Sequence, residues 1–262
     1  MTSGYKRSAR KSALIFLAVA ALLFVAVTAQ AQRLNWREVN PEFIPGGRDD
    51  HMMAFDSDQG VIVLFGGDNA NQATWIWDGE TWRDLGLDEN PAPRRESAMV
   101  YDSVRKRIVM FGGYDYTLLN NVTWQLNVAT GDWDGEIIED SPAGRADFAM
   151  AFHEGIGLTI LYGGDGVDGD TWSFDGEEWE SIVDEDDGPG QRWGHAMVYD
   201  SKRERIVMFG GVDVEEAELT SVTWEFDGEQ WIDMTPDDGS SPPAMRDHAM
   251  AYDSGRGVTV LF

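Results

Sequence analysis

The stretch HAMVYDSKRERIVMFGG, residues 195–211, decides the fold. It holds two short apolar runs, a polar centre and a terminal glycine pair. Ser201, Lys202, Arg203 and Glu204 in the centre are turn chemistry, so the runs read as two antiparallel strands joined by a tight turn. The same object recurs as HMMAFDSDQGVIVLFGG at 51–67, SAMVYDSVRKRIVMFGG at 97–113 and FAMAFHEGIGLTILYGG at 148–164. A fifth copy, HAMAYDSGRGVTVLF, occupies 248–262. Met53 to Phe65, Met99 to Phe111, Met150 to Tyr162, Met197 to Phe209 and Met250 to Phe262 are each 12 residues apart. A constant interval requires one turn type and one strand register.

Working outward, each of the first four copies is followed by a second hairpin. TWIWDGETW (74–82), TWSFDGEEW (171–179) and TWEFDGEQW (223–231) place Asp-Gly between two aromatic runs, a strong hairpin signal. TWQLNVATGDW (123–133) has a longer turn carrying Thr130 and Gly131. The unit is therefore four short antiparallel strands, repeated every 46–53 residues. In the second strand, RIVMF, both faces are apolar. One sheet cannot bury both alone, whereas sheets stacked face to face around an axis can. The expected fold is all-β: a propeller of four complete four-stranded blades, spanning 48–82, 94–133, 145–179 and 192–231, and a partial fifth.

These residues resemble the kelch repeat. The resemblance rests on the Arg-x-x-His/Ser entry to the first strand, the Gly-Gly after the second, and the paired Trp of the outer hairpin. It covers residues 34–262 and is similar to the exported microbial type, including the central propeller of galactose oxidase. The resemblance implies that the first strand lines a channel and the fourth lies outermost. Three departures stand out. Phe148 replaces the His of the third unit, His153 replaces its Asp, and Arg246 sits one residue too close to His248.

The ends carry separate signals. Lys6, Arg7, Arg10 and Lys11 precede an apolar run from Ala13 to Val27 and an A-x-A site at Ala29 to Ala31. Residues 1–31 are thus expected to be a secretory signal peptide, and residues 32–262 the propeller domain. The expected location is secreted or periplasmic. NWREV at 35–39 mirrors TWRDL at 81–85, and Trp36 precedes Met53 by the same 17 residues that separate Trp82 from Met99. The mature N-terminus is accordingly expected to be a lone fourth strand. Phe262 stands where four other copies continue into Gly-Gly, so the ring is expected to be truncated at its C-terminal side.

Formal net charge is −27, and it becomes −31 once residues 1–31, with four basic and no acidic residues, are removed. Only Lys106 and Lys202 then remain as lysines. Such a field repels nucleic acid and anionic membranes and favours cationic partners and divalent ions. With no cysteine, disulfides, thiolate metal sites and Cys nucleophiles are excluded.

Several residues merit weighing as sites. His51, His195 and His248 share one repeat position and point toward one axis. The spacing favours a structural role, with Arg and His bonding turns between blades, over a shared metal ion. Asp78, Asp175 and Asp227 belong to Asp-Gly turns, where Asp bonds its own backbone. Asp165, Asp168 and Asp170 put three carboxylates in six residues and form a candidate calcium loop, without the pattern of an EF-hand. The run Asp184 to Asp187 reads as a solvated loop. Asn121-Val122-Thr123 is a glycosylation sequon. No catalytic residue is expected.

Two function classes remain open. One is an interaction module that presents variable loops on one face to a protein or glycan. The Trp that follows each Gly-Gly comes 8, 11, 8 and 13 residues later, so variation concentrates there. Tyr114, Tyr116, Leu118 and Leu119 lie in the second such loop and are the expected contact residues. The other class is the propeller domain of a carbohydrate-active enzyme. A galactose-oxidase mechanism is excluded, because its Cys-crosslinked Tyr cannot form here.

Overall fold

The computed structural model describes residues 38–68, 73–183 and 188–262. The expected signal peptide of residues 1–31, Trp36 and the acidic run 184–187 lie outside the described residues. Regular structure among those described is entirely strand. In chain order the strands are β1 (Met52–Asp56), β2 (Val61–Phe65), β3 (Trp75–Trp77), β4 (Trp82–Asp84), β5 (Ala98–Asp102), β6 (Arg107–Phe111), β7 (Thr123–Asn127) and β8 (Asp132–Glu136). They continue as β9 (Ala149–His153), β10 (Leu158–Tyr162), β11 (Thr171–Phe174), β12 (Trp179–Val183), β13 (Arg192–Trp193), β14 (Ala196–Asp200) and β15 (Arg205–Phe209). The last are β16 (Val212–Asp213), β17 (Glu218–Leu219), β18 (Thr223–Phe226), β19 (Trp231–Asp233), β20 (Met250–Asp253) and β21 (Val258–Leu261).

Four antiparallel sheets follow the repeat: β1-β2-β3-β4, β5-β6-β7-β8, β9-β10-β11-β12 and β14-β15-β18-β19, here blades I to IV. Strands β20 and β21 form a two-stranded fifth unit. The hairpin register repeats from blade to blade, with Met99 opposite Met110 and Met197 opposite Met208. The first turn is set by an aspartate. In blade II, Asp102 Oδ1 accepts the N–H groups of Val104 and Arg105 at 3.0 and 2.8 Å. Asp56 and Asp200 do the same, and Asp253 Oδ1 accepts the N–H of Arg256. In blade III His153 offers no such oxygen, and its turn keeps only the backbone bonds from Ile156 and Gly157 to its carbonyl, of the kind that Asp56 and Asp253 also accept. In the Asp-Gly turns it is the glycine that takes the left-handed conformation, φ 98° at Gly79, while Asp78 Oδ1 accepts two amides.

Adjacent residues of each second strand enter different interfaces. Ile108 and Met110 pack with Val63, Phe65 and Ile76 of blade I. Val109 and Phe111 pack with Phe148, Leu161 and Phe174 of blade III. Ile160 and Tyr162 in turn meet Ile206, Met208 and Phe226 of blade IV. Period-two geometry thus sends alternate side chains to opposite neighbours, which is why the strand is apolar throughout. The first strands β1, β5, β9, β14 and β20 stand side by side around a lumen.

Three polar contacts recur between or within blades and place the sequence signature. The Arg guanidinium braces its own blade: Arg48, Arg94 and Arg145 donate to the carbonyls of Gly66, Gly112 and Gly163 at 3.0–3.1 Å. The carbonyl of that Arg accepts from the preceding blade's second glycine, with Gly67 to Arg94, Gly113 to Arg145 and Gly164 to Arg192 at 2.8–2.9 Å. The outer Trp reaches backward too, its indole N–H bonding the Thr hydroxyl of the preceding third strand: Trp133 to Thr74, Trp179 to Thr123 and Trp231 to Thr171. The glycine pair is obligatory on steric grounds. A Cβ on Gly163, at φ 69°, would stand 2.4 Å from the Arg192 carbonyl. In the fifth unit Met245 takes the place of Arg, and its carbonyl accepts from Gly211 at 2.8 Å. The displaced Arg246 stacks over Trp193 at 4.5 Å.

Candidate binding face at the channel mouth

Each first strand is entered through a residue in the left-handed conformation: Asp50 (φ 49°), Glu96 (56°), Asp147 (55°), Gly194 (67°) and Asp247 (55°). These residues hold one repeat position, two after the bracing Arg or, in the fifth unit, two after Met245. Their backbones link into a chain across the blades. The Glu96 N–H donates to the Asp50 carbonyl, Asp147 to Glu96, Gly194 to Asp147, and Asp247 to Gly194, at 2.8–3.3 Å. Asp is tolerated at positive φ better than most non-glycine residues. The choice of Asp and Glu nevertheless puts four carboxylates around one opening, a cavity of about 430 Å³ that His51, His195 and His248 also line.

The field there is strongly negative. Burial pushes Asp147 up to about 6, helped by Glu96, Asp247, Asp50 and Asp165. Asp50 and Glu96 are also raised, by burial first and then by neighbouring carboxylates. Arg95 offsets Glu96 at 3.3 Å and Asp68 at 3.1 Å, and Arg246 offsets Asp247 at 3.3 Å. Among the described residues, Asp50 and Asp147 have no cationic partner within ion-pair distance.

The histidines do not bond turns between blades, contrary to the expected role. His195 Nδ1 and Nε2 and His248 Nδ1 and Nε2 make no hydrogen bond. Their rings pack instead, edge to face on Tyr162 and Phe209 at 5.7 Å, the aromatic residue preceding each glycine pair. The Tyr162 carbonyl faces the His195 ring without completing a bond. Burial, with Arg192 nearby, pushes His195 down to about 3, so its imidazole is neutral.

The loops between Gly-Gly and the third strand rise at this same end. In blade II, bridges Arg95 to Tyr114 and Tyr114 to Leu119 fold the loop into a small hairpin. Arg95 lies over the Tyr114 ring at 5.4 Å, and the rings of Tyr114 and Tyr116 are 6.2 Å apart. The Tyr116 hydroxyl donates to the Gly67 carbonyl of blade I at 3.2 Å. Asp115 organises the tip: hydrogen bonds from Thr117, Leu118 and Asn120 hold its carboxyl well below the usual range. Tyr116, Leu118 and Leu119 remain 45%, 56% and 43% exposed. The four expected contact residues are thus gathered in one loop. Blade IV builds a parallel object that composition did not reveal, the sheet β13-β16-β17, which exposes Val214 and Leu219. The 13-residue interval after Gly211 was its only sequence signal.

Asp165, Asp168 and Asp170 are not brought together. Asp170 pairs with Arg145 at 3.4 Å and accepts the Trp172 indole N–H, while Asp168 accepts from Gln191 at 3.2 Å. Among the described residues the carboxylates that do converge within 4.8 Å are Asp49, Asp50 and Asp68.

Four-stranded blades, a lumen lined by first strands and a loop-bearing end define a β-propeller. The family model for the KLHDC2/KLHL20/DRC7 Kelch-repeats domain matches residues 22–186, more than half of the chain. The chain belongs to the kelch-repeat family. No curated protein matches it.

Proposed function

We propose that this chain is an exported protein-interaction module whose binding face is the Gly-Gly end of the propeller. Membership of the kelch-repeat family supports an interaction role. The observation that carries the choice of face is the placement of both long loops beside the channel mouth, with exposed apolar side chains held on ordered turns. Apolar contacts offered by a rigid loop cost little ordering entropy on binding, so they suit recognition. The opposite end carries short Asp-capped turns of nearly constant length and offers little to discriminate partners. Export rests on the basic, apolar and A-x-A segments of residues 1–31.

The test is binding by full-length protein and by a Tyr116→Ala/Leu118→Ala/Leu119→Ala variant, with extracellular proteins and a glycan array as parallel probes. The expected result is retention of protein partners by the parent and its loss in the variant. Equal retention by both would remove the loop from the binding face. Glycan retention with no protein partner would favour the carbohydrate-active reading.

A further inference from the structure

The four histidines of the chain are shared unevenly among the seams between blades. His153 and His195 lie at the two ends of one seam, between blades III and IV. His153 closes β9 at the turn end, 2% exposed, with its ring 4.7 Å from that of Tyr199 in blade IV. His195 precedes β14 at the Gly-Gly end, 6% exposed, against Tyr162 of blade III. Neither ring makes a hydrogen bond through either nitrogen. Between them the seam is apolar, with Ala151, Ile160 and Tyr162 meeting Ile206, Met208 and Phe226. The equivalent positions of the two preceding seams hold Asp56 and Ser97, then Asp102 and Phe148, none of which becomes a cation. The seam to the fifth unit combines Asp200 with a half-buried His248.

A neutral imidazole suits such a place, and an imidazolium does not. It carries a charge and two N–H donors. Each ring faces one backbone carbonyl that does not complete a bond, Glu204 for His153 and Tyr162 for His195. One carbonyl cannot serve two donors, so protonation leaves a buried, charged N–H without a partner. The charges around each ring are mixed. At His153, burial and Arg205 oppose the proton while Glu204 favours it. Gly228 of the β18–β19 turn lies against that ring, next to Asp227. The Tyr199 hydroxyl, with Glu204, Glu154 and Asp200 nearby, is occupied by the Gly155 N–H at 3.1 Å. At His195, burial, Arg192 and His248 all oppose the proton, and Asp147 and Asp247 line the opening beyond. Burial is the largest influence on both, so both rings are held below their ordinary value.

We propose that the seam between blades III and IV is an acid-sensitive joint: protonation of His153 and His195 parts these blades as pH falls below neutrality, while the seams I–II and II–III hold. The opened state accepts protons near 6.5 and the closed state resists them. Stability at the joint is therefore complete above that value and is lost as pH falls below it, by up to about tenfold in the open-to-closed ratio per pH unit for each imidazole. Asp147 acts in the opposite sense, because its carboxyl takes up a proton in the folded state near 6. The two long loops belong to blades II and IV, on opposite sides of the joint, so opening it separates them. That consequence rests on the reading of the loop end as the binding face, and the joint itself does not.

The test is amide exchange of the full chain at about pH 7 and about pH 5, read as protection factors so that the intrinsic pH dependence is removed. The Gly164 N–H donates across the joint to the Arg192 carbonyl, whereas Gly67 and Gly113 donate to Arg94 and Arg145 across the two seams without histidine. Protection at Gly164 should fall at least about tenfold more than at Gly67 or Gly113. The variant His153→Asp/His195→Phe installs residues that this chain already carries at the equivalent positions, Asp102 and Phe148. In it Gly164 should lose no more protection than Gly67. Equal loss at all three glycines in the parent would overturn the proposal, as would an excess loss at Gly164 that persists in the variant. Histidine ring-proton shifts of the parent give a readout independent of substitution. His153 and His195 should charge only as Gly164 loses protection, whereas the exposed His51 should charge without it. Charging of either buried ring with Gly164 still protected would also overturn the proposal. No partner enters these measurements, so their failure leaves the loop reading standing.

Discussion

Blade III and the hairpin β20–β21 are written in nearly the same residues and end in different states. Strand β9, AMAFH, is buried at all five positions. Strand β20, MAYD, is half-buried or exposed throughout. Both hairpins keep the same register, Ile160 opposite Ala151 and Val260 opposite Ala251. Local sequence therefore sets the hairpin, and the neighbours set its burial. Blade III is flanked by complete sheets on both sides, and β20–β21 meets a complete sheet at blade IV. Blade I shows the intermediate case, with β1 alternating buried and exposed residues. Hydrophobic stabilisation in this fold belongs to interfaces between blades rather than to blades.

The sharpest way to break that comparison is to truncate the same repeat position in both units. Ile160 is fully buried and Val260 is half-buried. Ile160→Ala should cost about 3 kcal/mol and Val260→Ala about 1 kcal/mol or less, by urea unfolding. Equal costs would mean that the hairpin, not its neighbours, supplies the stability.

A smaller effect isolates the polar staple. The Trp179 indole N–H bonds Thr123 of blade II at 2.9 Å within a buried interface. Trp82 packs instead on Trp77 of its own blade at 5.5 Å. Trp179→Phe should destabilise by about 1–2 kcal/mol, and Trp82→Phe by clearly less.

The smallest effect has the opposite sign and concerns the mouth. Asp147 is raised from 3.8 to about 6, so the folded state takes up its proton before the unfolded state does. Stability contributed by this group accordingly rises as pH falls from about 6 toward 3.8. Asp147→Asn should stabilise the protein at neutral pH by on the order of 1 kcal/mol, and the gain should vanish below the unfolded-state value. A constant difference across pH would place the effect elsewhere than in charge.

Much of this was legible in sequence because spacing is strict. The 12-residue interval, the glycine pair and the Trp hairpins placed every blade. The Gly-Gly and Arg signature marked interlocking positions, but its mechanism was not legible: the guanidinium braces its own blade while its carbonyl holds the preceding one. The carboxylate ring was missed for a similar reason. Asp50, Glu96, Asp147 and Asp247 differ in type and look like loop charge, and only the shared left-handed backbone brings them to one opening. The acidic loop of Asp165, Asp168 and Asp170 showed the reverse. Sequence proximity suggested a ligand set, while Arg145, Trp172 and Gln191 draw Asp168 and Asp170 toward separate partners.

The interlock of blades is tested most directly by native-state amide exchange at Gly67, Gly113, Gly164 and Gly211. Each N–H donates to a carbonyl of the next unit, at Arg94, Arg145, Arg192 and Met245. If blades stabilise one another, the amides of Gly113 and Gly164 should exchange as slowly as those of β6 and β10, through global unfolding. Exchange of these glycines at loop rates, while strand amides stay protected, would show blades that fold and open independently, and would contradict the account.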